Sequence, residues 1–153
     1  MPIRSLLAAV LGVLPVAAQA QDPAAHPAQT MQDAAAVFAG GDRAEGTYLF
    51  YVAQLRWRAR LLADPDPSGK GAAFGALFEA VGPPINEWAF GDIPALAATM
   101  DRVLVWDAAH PDLATPGPAR AESRAGLASL RDQILAEEAS IRAEREANGL
   151  PNR

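Results

Sequence analysis

Two histidines, several carboxylates beside tryptophans and a run of arginines are the residues of this chain that could do chemistry. His110 follows Asp107 by three residues, a spacing that could form half of a metal or acid–base site. A metal site needs three or four ligands, and the other histidine, His26, lies far away in a proline-rich segment. We therefore expect no metal and no cofactor, and we interpret His110 as a cap at the end of a helix.

Glu87, Asp92 and Asp107 lie close in sequence to Trp88 and Trp106. Two carboxylates flanked by aromatic rings can hydrolyse glycosides. However, Asp92 is better explained as a helix N-cap and Glu87 as a solvated turn residue. Because the chain also lacks a G-x-S-x-G motif and a glycine-rich phosphate loop, we assign no catalytic residue.

The densest cationic cluster is formed by Arg56, Arg58 and Arg60. On a helix, Arg56 and Arg60 share one face and Arg58 points roughly the opposite way. These side chains could bind a carboxylate or phosphate, pair with acids of another helix, or lie in solvent.

The segment PINEWAFGD at 84–92 places three large apolar residues in what reads as a rigid turn after two prolines. One interpretation is a buried plug between helices. The other is an exposed aromatic hot spot with Arg56 or Arg58 beside it, since these residue types dominate binding interfaces. The candidate binding residues are therefore Arg56, Arg58, Asn86, Glu87, Trp88 and Asp92.

Length and composition favour one domain with a hydrophobic core, because half of the 153 residues are apolar. The formal net charge of −5 argues against nucleic acid as a partner, since such binding relies on Lys and Arg contacts to phosphate. The absence of cysteine excludes a disulfide framework, a thiol nucleophile and a zinc–thiolate site.

The first 20 residues have the three-part order of a secretory signal peptide. Residues 1–4 carry one positive charge, the run SLLAAVLGVLPVAA at 5–18 carries none, and Ala-Gln-Ala at 18–20 forms a cleavage site. A membrane-spanning helix needs about 20 apolar residues, whereas this run is shorter and contains a glycine and a proline. We predict cleavage after Ala20, export to the periplasm or the medium, and no stable membrane insertion of the mature chain.

Apolar periodicity and stop signals predict a single all-α domain over residues 30–153, behind a flexible lead-in at 21–29. Alternation of apolar residues with arginines from Leu55 to Leu61 also fits a strand, but the long uninterrupted segment favours a helix. The five expected helices run from Thr30 to Gly40, from about Ala44 to Ala63, from after Gly71 to Gly82, from Asp92 to Pro111, and from about Pro118 to Asn148.

The sequence AAVFAGGDRAEGTYLFYVA at 35–53 resembles one unit of a tetratricopeptide or Sel1-type repeat. Gly-Asp at 41–42 matches the turn of that repeat, and Phe50 and Ala53 match positions of its second helix. Gly46 stands where the repeat has the alanine that packs its two helices, and the chain contains no second copy. The resemblance implies a helical hairpin and no particular partner.

The combination of YVAQLRWR at 51–58 with PINEWAFGD at 84–92 is similar to small exported bacterial proteins of uncharacterised function, which implies no activity. We predict a compact bundle of about five helices that acts as an exported interaction module. The expected partner is another protein, in an inhibitor or immunity-type role toward a toxin or wall enzyme. The alternative function is a small envelope enzyme or ligand carrier that uses the carboxylates near the tryptophans.

Overall fold

The computed structural model describes residues 22–153, so the predicted signal peptide at 1–20 lies outside the described residues. Over this range the chain forms a compact all-α fold with six helices and no strand, which confirms the predicted class but not the expected count of about five. The helices are α1 (Pro27–Ala39), α2 (Arg43–Leu62), α3 (Ser68–Ala89), α4 (Ile93–Ala109), α5 (Gly117–Ala136) and α6 (Glu138–Ala147).

The first helix begins at Pro27 rather than at Thr30, because His26 supplies its N-cap. The His26 Nδ1 atom accepts a hydrogen bond from the Ala28 backbone N–H at 3.1 Å. Pro27 then occupies the first turn, where the missing N–H of proline breaks no helical hydrogen bond. His26 thus has a capping role at the start of α1.

A tight turn at residues 40–42 folds α1 and α2 into a helical hairpin. Gly41 has a φ of 106°, a conformation that favours glycine, and the side chain of Asp42 accepts a hydrogen bond from the Glu45 N–H at 3.1 Å. The two helices come close at Gly46, where an added Cβ would lie only 2.6 Å from the Cβ of Phe38. A glycine is therefore required for this packing.

The second helix is the central element of the fold. It is buried continuously from Gly46 to Trp57, because α1, α3, α4 and α5 all pack against it. A helix covered on several sides need not keep one polar face. The alternating pattern from Leu55 to Leu61 reflects this helix and not a strand.

The third helix differs from the prediction in two respects. We predicted that it ends at Gly82 and that residues 84–92 form a turn, but α3 continues through Pro83 and Pro84 to Ala89. Both prolines are exposed, so water can bind the carbonyl groups whose helical partners they remove. Packing of Val81, Ile85 and Ala89 in the core holds the helix together across this point.

The expected long last helix divides into α5 and α6 at Glu137. After α6 the chain turns at Gly149, whose φ is 71°, and its end returns to the corner between α3 and α4. There the backbone N–H of Arg153 donates to the carbonyl oxygen of Gly91 at 2.6 Å. Within residues 22–153, no helix combines the length and the apolar character needed to cross a membrane.

Candidate functional site

Arg56, one of the predicted binding residues, is buried and engaged inside the fold. Its Nε lies 3.3 Å from a carboxylate oxygen of Asp107, and its guanidinium lies over the Trp106 ring at 4.4 Å from the centroid. Its two terminal nitrogens donate to the carbonyl oxygens of Pro23 and His110. These contacts link α2 to the end of α4 and to the segment before α1, so Arg56 has a structural role.

Trp88 lies half-buried at the end of α3, and Phe38 and Arg153 contact its ring. Its ring contacts Phe38 edge-on at a centroid distance of 5.9 Å. The guanidinium of Arg153 lies 3.7 Å from the ring centroid and donates to the Trp88 carbonyl oxygen at 2.7 Å. The arginine beside Trp88 is therefore Arg153 and not Arg56 or Arg58.

The other candidates in the segment 84–92 have separate environments. Asn86 accepts a hydrogen bond from the Tyr51 hydroxyl at 3.3 Å, and Glu87 is exposed. Asp92 caps α4 through a 3.0 Å hydrogen bond from the Ala95 N–H, as predicted. The structure therefore does not bring these residues together into one site.

The carboxylates near the tryptophans are likewise separated, since Asp107 is held by Arg56 while Asp92 caps a helix. Among residues 22–153, no three histidine, aspartate or glutamate side chains are grouped closely enough to hold a metal ion. His110 caps the end of α4, and its ring stacks on Trp106 with a centroid distance of 5.0 Å.

A groove with a volume of about 860 Å³ lies between α2, α5 and the start of α3. Most of its lining is apolar, and Leu62 is 49% exposed at its edge. We call it the α2–α5 groove. Its lining residues include five leucines, Leu55, Leu61, Leu62, Leu127 and Leu130.

Arg58 is the predicted binding residue that lies in the α2–α5 groove. It is exposed, and within residues 22–153 it forms no ion pair, whereas Arg56 and Arg60 pair with Asp107 and Asp112. The expected division of the arginine run between two faces of α2 is thus confirmed. The groove combines apolar walls with one available guanidinium.

Tyr51 is a buried residue of the groove lining and stays neutral. Burial raises the pKa of its phenol above the ordinary value, and the nearby positive charge of Arg58 does not offset this effect. The hydroxyl can therefore donate its hydrogen bond to Asn86 at any physiological pH.

No pattern in the sequence predicts the groove, although the leucines that line it follow helical spacing. Leu127 and Leu130 are three residues apart in the last predicted helix, and Leu55 and Leu62 are seven apart in the second, both of which are helical spacings. The sequence does not show that these leucines lie partly outside the core. Their exposure depends on how far apart α3 and α5 lie where they pack against α2.

Comparison with family models, with curated proteins and with solved structures found no significant match for this chain. The resemblance to a tetratricopeptide or Sel1-type unit therefore stays a prediction. The groove and its charges are the features of the fold that bear on function.

Proposed function

We propose that this chain is an exported helical module that binds a protein partner in the α2–α5 groove. The observation that carries the proposal is the combination of an open, leucine-lined groove with the unpaired guanidinium of Arg58. Exposed contiguous apolar surface with a polar edge is typical of interaction sites. An arginine beside apolar anchors is a frequent contributor to binding energy.

A binding role is favoured over an enzymatic one by the placement of the polar groups. Enzyme sites bring several polar groups together in one pocket. In the described residues, Glu87, Asp92 and Asp107 lie in three different environments, and none of them lines the groove. This arrangement supports the interaction module over the small envelope enzyme.

Gly126 of α5 permits a direct test of the groove as the binding site. A Cβ added at this groove residue would meet no atom within 4 Å. A Gly126→Trp variant should fill the groove without disturbing the fold. The mature protein would be used to capture partners from envelope extract of its source bacterium. We expect the wild type to retain a specific protein that Gly126→Trp fails to retain.

The matched control is Gly75→Trp in α3, where a Cβ also meets nothing within 4 Å and which does not line the groove. This variant should capture the same partner as the wild type. Equal capture by Gly126→Trp, or no specific capture by the wild type, would contradict the proposal.

Export is tested separately by N-terminal sequencing of the protein recovered from the periplasm and the medium. The proposed cleavage after Ala20 predicts a first residue of Gln21. Recovery of the intact chain, beginning at Met1, from the cytoplasm alone would contradict it.

A further inference from the structure

The walls of the α2–α5 groove restrict the conformation of any polypeptide that binds there. Both long walls are helices, whose interior backbone N–H and C=O groups are already paired within the helix. An extended segment would find no strand edge along these two walls and would bury most of its own backbone groups there without partners, which is unfavourable. A helical segment satisfies its backbone internally and needs only side-chain contacts.

The dimensions of the groove match about two to three turns of helix. The groove face of α2 extends from Tyr51 to Leu62, which corresponds to about 16 Å at the helical rise, and the α5 face extends from Glu122 to Leu130, about 12 Å. A partner helix would therefore present apolar residues at i, i+3 or i+4, and i+7 toward the leucines.

The openness of the groove favours a macromolecule over a small amphipathic molecule. Small-molecule sites bury about 70–90% of the ligand surface. Here Leu62 is half exposed at the edge and Leu61, Leu127 and Leu130 remain partly exposed along the walls. A helix, which is about 10–12 Å wide with its side chains, could contact leucines of both walls at once.

The charges of the groove determine the polar character of the occupant. Covering Arg58 without an acceptor would remove water from its guanidinium at a large energetic cost. An aspartate or glutamate on the occupant would instead form a charge-assisted, bidentate pair with it. Glu122, on the α5 wall, also forms no ion pair within residues 22–153 and would favour a basic residue nearby.

We propose that the α2–α5 groove binds one amphipathic α-helix of a partner protein, and that an acidic residue of this helix pairs with Arg58. The inference rests on the proposed function, since it assumes that a protein binds in the groove. It adds the conformation of the bound segment, the spacing of its apolar residues and the position of its acidic residue.

Site-specific photocrosslinking in the source bacterium tests the proposal with the full chain. A benzoylphenylalanine would replace Leu62 at the groove edge, and a control would carry it at Leu113, an 86% exposed residue outside the groove. Mass spectrometry would identify the crosslinked segment. We expect a specific segment from the Leu62 position alone, with apolar residues at helical spacing and an aspartate or glutamate among them.

The role of Arg58 is tested on the segment so identified, made as a synthetic peptide. Arg58→Gln should weaken its binding by about ten- to a hundredfold, the effect of one charge-assisted hydrogen-bonded pair. Arg43→Gln, at another exposed arginine without an ion pair in the described residues, should leave binding unchanged. Arg58→Glu should restore binding to a peptide whose acidic residue is replaced by arginine.

The outcomes separate the two proposals. A crosslinked partner segment that is extended, that lacks an acidic residue, or that binds Arg58→Gln as well as the wild type would overturn the inference and leave the proposed function standing. A crosslink to a second copy of this chain, a lipid adduct, or no adduct specific to the Leu62 position would overturn both.

Discussion

At the scale of single residues, the buried charge cluster around Asp107 is the most consequential feature. One oxygen of this carboxylate pairs with Arg56 at 3.3 Å and the other with Arg124 at 3.1 Å, and the carboxylate and Arg56 are both over 90% buried. Removing one member of a buried pair leaves an uncompensated charge, which is far more damaging than losing an exposed pair.

We expect Asp107→Asn to lower the free energy of unfolding by about 3–5 kcal/mol, because Arg56 keeps its charge but loses its carboxylate. Urea denaturation measures the change. Asp101→Asn, which removes an exposed partner of Arg131, should cost less than about 1 kcal/mol. Similar losses in the two variants would show that the Asp107 cluster does not hold α2, α4 and α5 together.

Gly46 provides a second prediction at this scale. Its added Cβ would lie 2.6 Å from Phe38 Cβ and 2.8 Å from Phe38 Cα, so α1 itself would have to move. We expect Gly46→Ala to lower the free energy of unfolding by about 1–2 kcal/mol, since overpacking outweighs the better helix propensity of alanine.

Gly75→Ala is the control for Gly46→Ala, because it makes the same change in a helix with open space around the new methyl group. It should raise the free energy of unfolding by about 0.5–1 kcal/mol. A stabilising effect at both glycines would mean that the α1–α2 contact is looser than its geometry indicates.

At the scale of elements, α3 shows how packing overrides local sequence signals. Pro83 and Pro84 remove two helical hydrogen bonds and would ordinarily end a helix. The apolar residues Phe74, Phe78, Val81, Ile85 and Ala89 nevertheless keep one helical face across the prolines and lie in or against the core. This continuing periodicity was the signal that could have extended the predicted helix.

Replacing Pro84 by alanine restores a backbone donor in the interior of α3. We expect the free energy of unfolding to rise by about 2 kcal/mol, after allowing for the greater entropy of the unfolded variant. Pro94→Ala in the first turn of α4 should change stability little, because no helical hydrogen bond is missing there. Chemical denaturation compares the two, and a destabilising Pro84→Ala would argue that α3 ends before the prolines.

At the scale of the whole molecule, stability should fall in acid partly through Asp112. Burial alone would raise the pKa of this carboxyl, but hydrogen bonds from Arg60 and Thr115 outweigh it and hold the pKa below its ordinary value. Because the pKa of Asp112 is lower in the folded state than in the unfolded state, its contribution to stability is fully present above about pH 4. That contribution is lost as the pH falls through the pKa of the folded state.

The stability difference between the wild type and Asp112→Asn should therefore stay constant from about pH 7 to pH 5 and decrease below about pH 4. Denaturation series at several pH values measure it. An exposed control, Asp33→Asn, should show a much smaller difference at every pH. A difference between the wild type and Asp112→Asn that persists unchanged to pH 3 would contradict the assigned cause.

The sequence by itself determined the fold class, the central helix and the capping of α4 by Asp92, because periodicity and capping are local properties. It also placed Arg56 and Arg58 on different faces of α2. Only the tertiary structure decided that Arg56 forms an ion pair with the buried Asp107 and that Trp88 lies under Arg153. It also decided that leucines far apart in the chain line one groove. These contacts depend on which helices pack against each other and where they separate, and no local sequence pattern contains that information.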